Sequence, residues 1–188
     1  MPGHDLRETR LTTTQVYRGV LLDVRRDEVE LPNGRRSVRE YIRHPGAAAV
    51  VPVPAPGRVV LVRQYRYALE AETIEVPAGK RDAGEELSVT ARRELAEETG
   101  YECGELLRLG LIHPSVGYSD ESIEIYLARG LRRTAGRTDP DEFIEPLECP
   151  LQEALEWVRQ GKITDVKTII ALNWAGKYLA EMDSGSGR

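Results

Sequence analysis

GKRDAGEELSVTARRELAEETGY, residues 79–101, brings Glu85, Glu86, Glu94, Glu97 and Glu98 into one short segment with few basic residues between them. Like charges three or four positions apart on a helix repel by about 0.2–0.5 kcal/mol per pair. A gain elsewhere must offset that repulsion. The pattern from Ser88 to Thr99 is helical, with Ser88 as the candidate N-cap and Gly100 at the position that favours a left-handed end. Leu87, Ala91 and Leu95 recur every four residues and form the expected buried stripe. Glu94, Glu97 and Glu98 fall on another face as surface neighbours, with Glu85 and Glu86 in the loop before them. A solvated acidic face is the plain reading. The alternative is that carboxylates converging from helix and loop hold a hard divalent cation, for which oxygen-only ligands suit Mg²⁺ or Mn²⁺.

Working outward toward the N-terminus, QVYRGVLLDVRRDEVELPNGRRSVREYIRH carries β-branched and apolar residues on both sides of the turn signal PNG and predicts a β-hairpin. A hairpin cannot bury both faces alone, so it must pack on the rest of the chain or on a second copy. GAAAVVPVPAPGRVVLVRQYRYAL repeats the pattern, with strands Ala48 to Val53 and Val59 to Tyr65 around the turn APG. Apolar residues on both faces early in the second of these strands suggest a central position, and Arg63 and Arg66 come at its end, where they are expected to emerge at a sheet edge. Beyond the acidic segment, strands are expected in LLRLGLI and ESIEIYLARGL, then a polar loop RRTAGRTDPDEF. Two helices, PLQEALEWVRQG and TDVKTIIALNWAGKYLAEM, and a disordered tail at 183–188 complete the pattern. Strands on both sides of a central helix, with helices at the end, predict an α/β (α+β) sandwich.

The chain has 188 residues, 40% of them apolar and 30% charged, which describes an ordinary globular domain. A net charge of −5 argues against a nucleic-acid backbone as partner. No run of residues resembles a membrane span, and MPGHDLRETR lacks the apolar core of a signal peptide, so a cytoplasmic protein is expected. Cys103 and Cys149 form no CxxC pair, and His4, His44 and His113 are scattered, leaving zinc and thiol redox chemistry without support.

The acidic segment also resembles, position by position, the Nudix box G-x5-E-x7-R-E-U-x-E-E-x-G-U through Gly79, Glu85, Arg93, Glu94, Leu95, Glu97, Glu98, Gly100 and Tyr101. Tyr101 alone departs from the usual aliphatic residue. Seven fixed positions coincide by chance about once in 10⁸ starting points, given ordinary residue frequencies. The resemblance implies the Nudix fold, an α/β/α sandwich around a mixed sheet, with residues 46–182 as the hydrolase domain and residues 1–45 as an added N-terminal β-hairpin region that builds a homodimer. It implies hydrolysis of a nucleoside diphosphate linked to another group. Glu94 and Glu98 would ligate Mg²⁺ or Mn²⁺, Glu85 and Glu97 would complete the cluster, and the backbone carbonyl of Ala78 would be a further ligand. Arg93 would orient the glutamates by ion pairing. The chemistry agrees: a pyrophosphate is attacked by water readily only when cations neutralise its oxygens, and Arg63 and Arg66 supply basic groups beside the carboxylates.

REYIRHPGAAAVVPV, VVLVRQYRYAL, IEVPAGK, GYSDESIEIYLA and GKITDVKTIIAL extend the resemblance to the ADP-ribose pyrophosphatase branch, from about Tyr17 to Leu172. By that resemblance Arg66 contacts the phosphates or ribose, Arg43, Glu121 and Tyr17 belong to the substrate site, and the partner subunit contributes to the nucleoside pocket. Val116 stands in HPSVGYSDE where the branch usually carries proline, which loosens the preference for ADP-ribose over other nucleotide sugars. In TDPDEFIE, Glu142 aligns best with an acidic residue that acts in the branch as catalytic base or as an additional metal ligand; Asp139, Asp141 and Glu145 compete, and Pro140 fills one position where relatives can have glutamate. Two other functions stand as alternatives: a domain that binds ADP-ribose and reports it, and a hydrolase of dinucleoside polyphosphates. The intact box carboxylates favour an enzyme over the first, and the flanking segments disfavour the second.

Overall fold

The computed structural model describes residues 5–134 and 143–185, and the chain divides into two compact units. The first contains residues 1–45 and 115–122. Its β1 (Thr9–Arg18), β2 (Asp23–Glu30) and β3 (Arg36–Arg43) form an antiparallel sheet in that order. The PNG hairpin joins β2 to β3 as expected, with Gly34 at φ 78° and its amide donating to Leu31 O at 2.8 Å. A side chain at that dihedral would be strained, which is why glycine sits there. β1 is an additional strand and is exposed along its whole length. Residues 115–122 attach to β3 through Ile42 N–H to Tyr118 O at 2.9 Å and Asp120 N–H to Ile42 O at 3.2 Å.

The second unit contains residues 46–114 and 123–188. β4 (Ala47–Pro52) lies between β7 (Ala78–Lys80), to which it is antiparallel, and β9 (Ile123–Arg133), to which it is parallel; β8 (Tyr101–Ile112) completes this mixed sheet. Because successive strand residues face opposite ways, β4 serves two cores. Ala48 and Val50 pack with Ala91 and Leu95 of α1 (Leu87–Thr99). Ala47, Ala49 and Val51 pack with α2 (Leu151–Arg159) and α3 (Val166–Gly185) through Ala154, Ala171 and Leu172. That is the α/β/α sandwich, and burying a side chain such as Leu95 completely is worth about 1.5–3 kcal/mol.

Four local expectations are corrected. β4 and β5 (Arg58–Arg66) do not pair with each other: β5 is the middle strand of a second sheet, between β10 (Ile144–Pro150) and β6 (Ala71–Glu75). The central position expected for this strand is observed, with Arg63 and Arg66 near its end. Ser88 lies inside α1, because the carbonyl of Glu86 already accepts the first helical bond, from Thr90 N–H at 3.0 Å, and Glu86 is the cap residue. Strand β10, missed in the sequence, follows the polar loop. α3 runs on to Gly185, into the stretch expected to be a tail from Asp183.

Candidate active site

β7 is three residues long, and its partner β4 fixes it by pairing Ala48 with Gly79 and Ala49 with Ala78. α1 lays its acidic residues against this strand. Glu98 is 4% exposed and accepts Ala78 N–H at 3.0 Å. Glu94 is 8% exposed, and its carboxylate fills the space that a Cβ on Gly79 would occupy. Glycine at position 79 is thus required by the close approach of a carboxylate, not by an unusual dihedral.

Arg93 is what the carboxylates meet. Its Nε donates to Glu85 Oε1 at 3.2 Å and its Nη2 to Glu85 Oε2 at 3.1 Å; its Nη1 donates to Glu94 Oε1 at 2.7 Å and Glu97 Oε2 at 3.0 Å. A further bond from Nη2 to Lys80 O, at 3.2 Å, fastens the guanidinium to the end of β7. The hydrogen bonds from Arg93, then those from Thr90 Oγ1 and Asp82 N–H, hold the Glu85 carboxyl down to about 2. Glu85 first, then Glu94 and Glu97, raise Arg93 above the usual guanidinium range against the opposing effect of burial. Repulsion within the segment is therefore relieved first by an arginine of the segment itself.

Three carboxyl groups face that one guanidinium, so Arg93 cannot neutralise them all. Among the described residues no three acidic, histidine or cysteine side chains are grouped so as to hold a metal ion as they stand. The donor set nonetheless suits a hard divalent cation. It consists of oxygens only, two of the carboxylates are buried, and the Gly79 cradle sets Glu94 against the backbone next to Ala78.

Arg66, which feels the charge of Glu98, is 43% exposed. Its Nε and Nη2 donate to Glu75 Oε1 and Oε2, both at 2.7 Å. Glu75 is 2% exposed and also accepts hydrogen bonds from Thr73 Oγ1 and Lys167 Nζ. Burial alone raises the Glu75 carboxyl, but the bonds from Arg66, the charge and bond of Lys167 and the bond of Thr73 bring it down to about 2. Arg63 sits three residues before Arg66, hence on the opposite face of β5. It pairs with Glu72 at 3.0 Å and with Glu145, so the structure separates the two arginines that the sequence grouped together.

Arg43, Glu121 and Tyr17 belong to the first unit. Arg43 Nε lies 3.2 Å from Asp120 Oδ2, His44 Nε2 lies 3.9 Å from Glu121 Oε1, and Tyr17 is exposed. Glu142, with Asp139 and Asp141, lies outside the described residues. Glu75 and Lys167 were missed in the sequence, although a lone glutamate in the otherwise apolar IEVPA was a signal. A cavity of about 420 Å³ lined by Pro54, Pro56, Leu151 and Leu179, on the α2–α3 side, includes none of the residues above and no carboxylate.

The NUDIX domain matches residues 43–169, and the nucleoside diphosphate sugar hydrolase N-terminal domain matches residues 8–42. The chain is 43% identical over 174 residues to the methanol dehydrogenase activator of Bacillus methanolicus, covering 92% of this chain and 94% of that one. It is 39% identical to the ADP-ribose pyrophosphatase of Bacillus subtilis, over 90% of this chain and 92% of that one. A solved ADP compounds hydrolase superposes with a TM-score of 0.84 at 26% identity, covering 99% of this chain and 100% of that one. The chain belongs to the NUDIX family. It is a hydrolase of the branch that cleaves nucleoside diphosphate sugars, in a family that generally depends on divalent metal ions.

Proposed function

We propose that the chain hydrolyses the pyrophosphate bond of ADP-ribose or a closely related nucleotide sugar, with Mg²⁺ or Mn²⁺, to a nucleoside monophosphate and a sugar phosphate. The observation that carries this reading is the pair of buried carboxylates, Glu94 and Glu98, laid against β7 with one arginine facing too many acids. Glu94 and Glu98, with Glu85, Glu97 and the carbonyl of Ala78, are the residues that would hold the cation. When bound, a divalent ion neutralises pyrophosphate oxygens and lowers the pKa of an attacking water.

The remaining work falls to the chain. Arg93 restrains Glu85, Glu94 and Glu97 so that their carboxylates need not reorganise as charge develops. Arg66 offers its exposed edge to the substrate phosphates. Glu142 accepts the proton of the attacking water. Arg43, Glu121 and Tyr17 take the nucleoside end. A panel of ADP-ribose, other sugar nucleotides and dinucleoside polyphosphates, assayed for products with Mg²⁺ and with Mn²⁺, tests this. We expect AMP and ribose 5-phosphate from ADP-ribose, and no turnover after chelation. Tight binding of ADP-ribose without products would instead identify a sensor. Val116, 81% exposed, departs from the branch pattern, and the panel ranks the sugars directly.

The same reading makes the protein a cytoplasmic homodimer built through residues 1–45. No helix among the described residues is long and apolar enough to cross a membrane. β1 is exposed throughout, and Leu11, Val16 and Tyr17 on it, with Val20, Leu21 and Leu22 after it, leave apolar surface uncovered in one chain. Deleting residues 1–45 is expected to convert a sedimenting dimer into a monomer; a truncated chain that still sediments as a dimer refutes this assembly.

A further inference from the structure

The start of α3 is built around charge. Asp165 caps the helix, accepting Thr168 N–H at 3.0 Å and the Thr168 hydroxyl, and also accepts Lys167 Nζ at 3.0 Å. Thr168 Oγ1 in turn accepts Val76 N–H at 2.9 Å, which locks this turn against the residue following Glu75. Lys167 is 12% exposed and reaches back to the Glu75 carboxylate. Glu75 thus has every lone pair in use, with Arg66 Nε and Thr73 on one oxygen and Arg66 Nη2 and Lys167 on the other.

A buried carboxylate clamped between two cations is weak evidence of stability, because apolar residues of similar volume often serve as well. Its geometric effect is definite. A guanidinium carries five N–H donors in one plane. The two-bond contact with Glu75 occupies one edge of Arg66, fixes the plane, and leaves the Nη1 edge and the second Nη2 hydrogen pointing away from Glu75. Lys167 keeps Glu75 from turning toward other donors.

We infer that Glu75 and Lys167 are positioning residues, and that the first turn of α3 sets the orientation of Arg66 for the phosphates of the substrate. This rests on the reading that Arg66 meets the substrate. It assigns a role to the GKITDVK segment that box carboxylates alone do not require.

The test is a pair of kinetic cycles on the full-length enzyme with ADP-ribose. Arg66→Ala is expected to lower kcat/KM about 100-fold and Lys167→Met about tenfold, the latter mostly through KM, as befits one charge-assisted hydrogen bond acting indirectly. In the Arg66→Ala background the further loss from Lys167→Met is expected to be under about twofold, because the residue it positions is gone. Equal tenfold losses in both backgrounds mean that Lys167 acts independently of Arg66, and the proposal falls. A neutral Lys167→Met beside a costly Arg66→Ala rejects the brace while the substrate role of Arg66 stands. A neutral Arg66→Ala overturns the substrate reading and the brace with it. If Lys167→Met gives no cooperative thermal transition, Glu75→Gln, which keeps volume and one acceptor, takes its place in the cycle with the same outcomes.

Discussion

Glu98→Gln is expected to lower kcat by about 10³-fold or more, since a bound divalent ion supplies several kcal/mol of transition-state stabilisation and each 1.36 kcal/mol is a factor of ten. The substitution isolates charge from packing. Glu98 is buried against β7 and accepts a hydrogen bond from Ala78 N–H at 3.0 Å. A glutamine has the same volume and keeps an amide oxygen to accept that bond, so the melting temperature should change little. Steady-state kinetics at saturating Mg²⁺, set beside a thermal melt, check both halves. Turnover near that of the unaltered protein would remove Glu98 from the metal set. A large fall in melting temperature would mean instead that the carboxylate serves the fold.

Glu142→Gln is expected to reduce kcat by about 10²–10⁴-fold, the usual contribution of a general base, while KM changes little, because the interaction develops mainly in the transition state. The same exchange at Asp139, Asp141 and Glu145 is the internal comparison, and the structure already distinguishes one of these. Glu145 lies in β10, paired opposite Arg63 of β5, and its carboxylate is bonded to that arginine on an exposed face. Exposed pairs of this kind contribute about 0–1 kcal/mol, so the change at Glu145 should leave turnover unaltered. If Asp139 or Asp141 proves indispensable and Glu142 does not, the alignment of this loop is shifted by a few residues and the proposals for the box stand unchanged.

Much of the fold was legible in the sequence, for local reasons. The PNG hairpin, the apolar runs that became β4 and β5, the four-residue stripe of α1 and the two closing helices are each written in neighbouring residues. The spacing of Gly79, Glu85, Arg93, Glu94, Glu97 and Glu98 identified the family, because each residue answers a nearby demand: a glycine where a carboxylate approaches, an arginine among acids, carboxylates one helical turn apart. The errors also have physical causes. A Pro-Gly turn between two apolar runs reads as one hairpin and cannot reveal that its strands, β4 and β5, join different sheets; that choice depends on β9 and β10, far along the chain.

The acidic segment alone carries the family signature and the helix it lies on, since these rest on residues within about one element of each other. How the more distant charges are shared depends on contacts between elements far apart in the chain. Strand pairing and helix docking sent Arg63 to Glu72 and Glu145 on the opposite face from Arg66 and brought Lys167 onto Glu75 across 92 residues of chain, whereas the pairing of Arg93 with the box glutamates was already expected from the segment itself. A guanidinium can pair with any carboxylate within reach, and reach is set by strand pairing and helix docking, which no local pattern encodes.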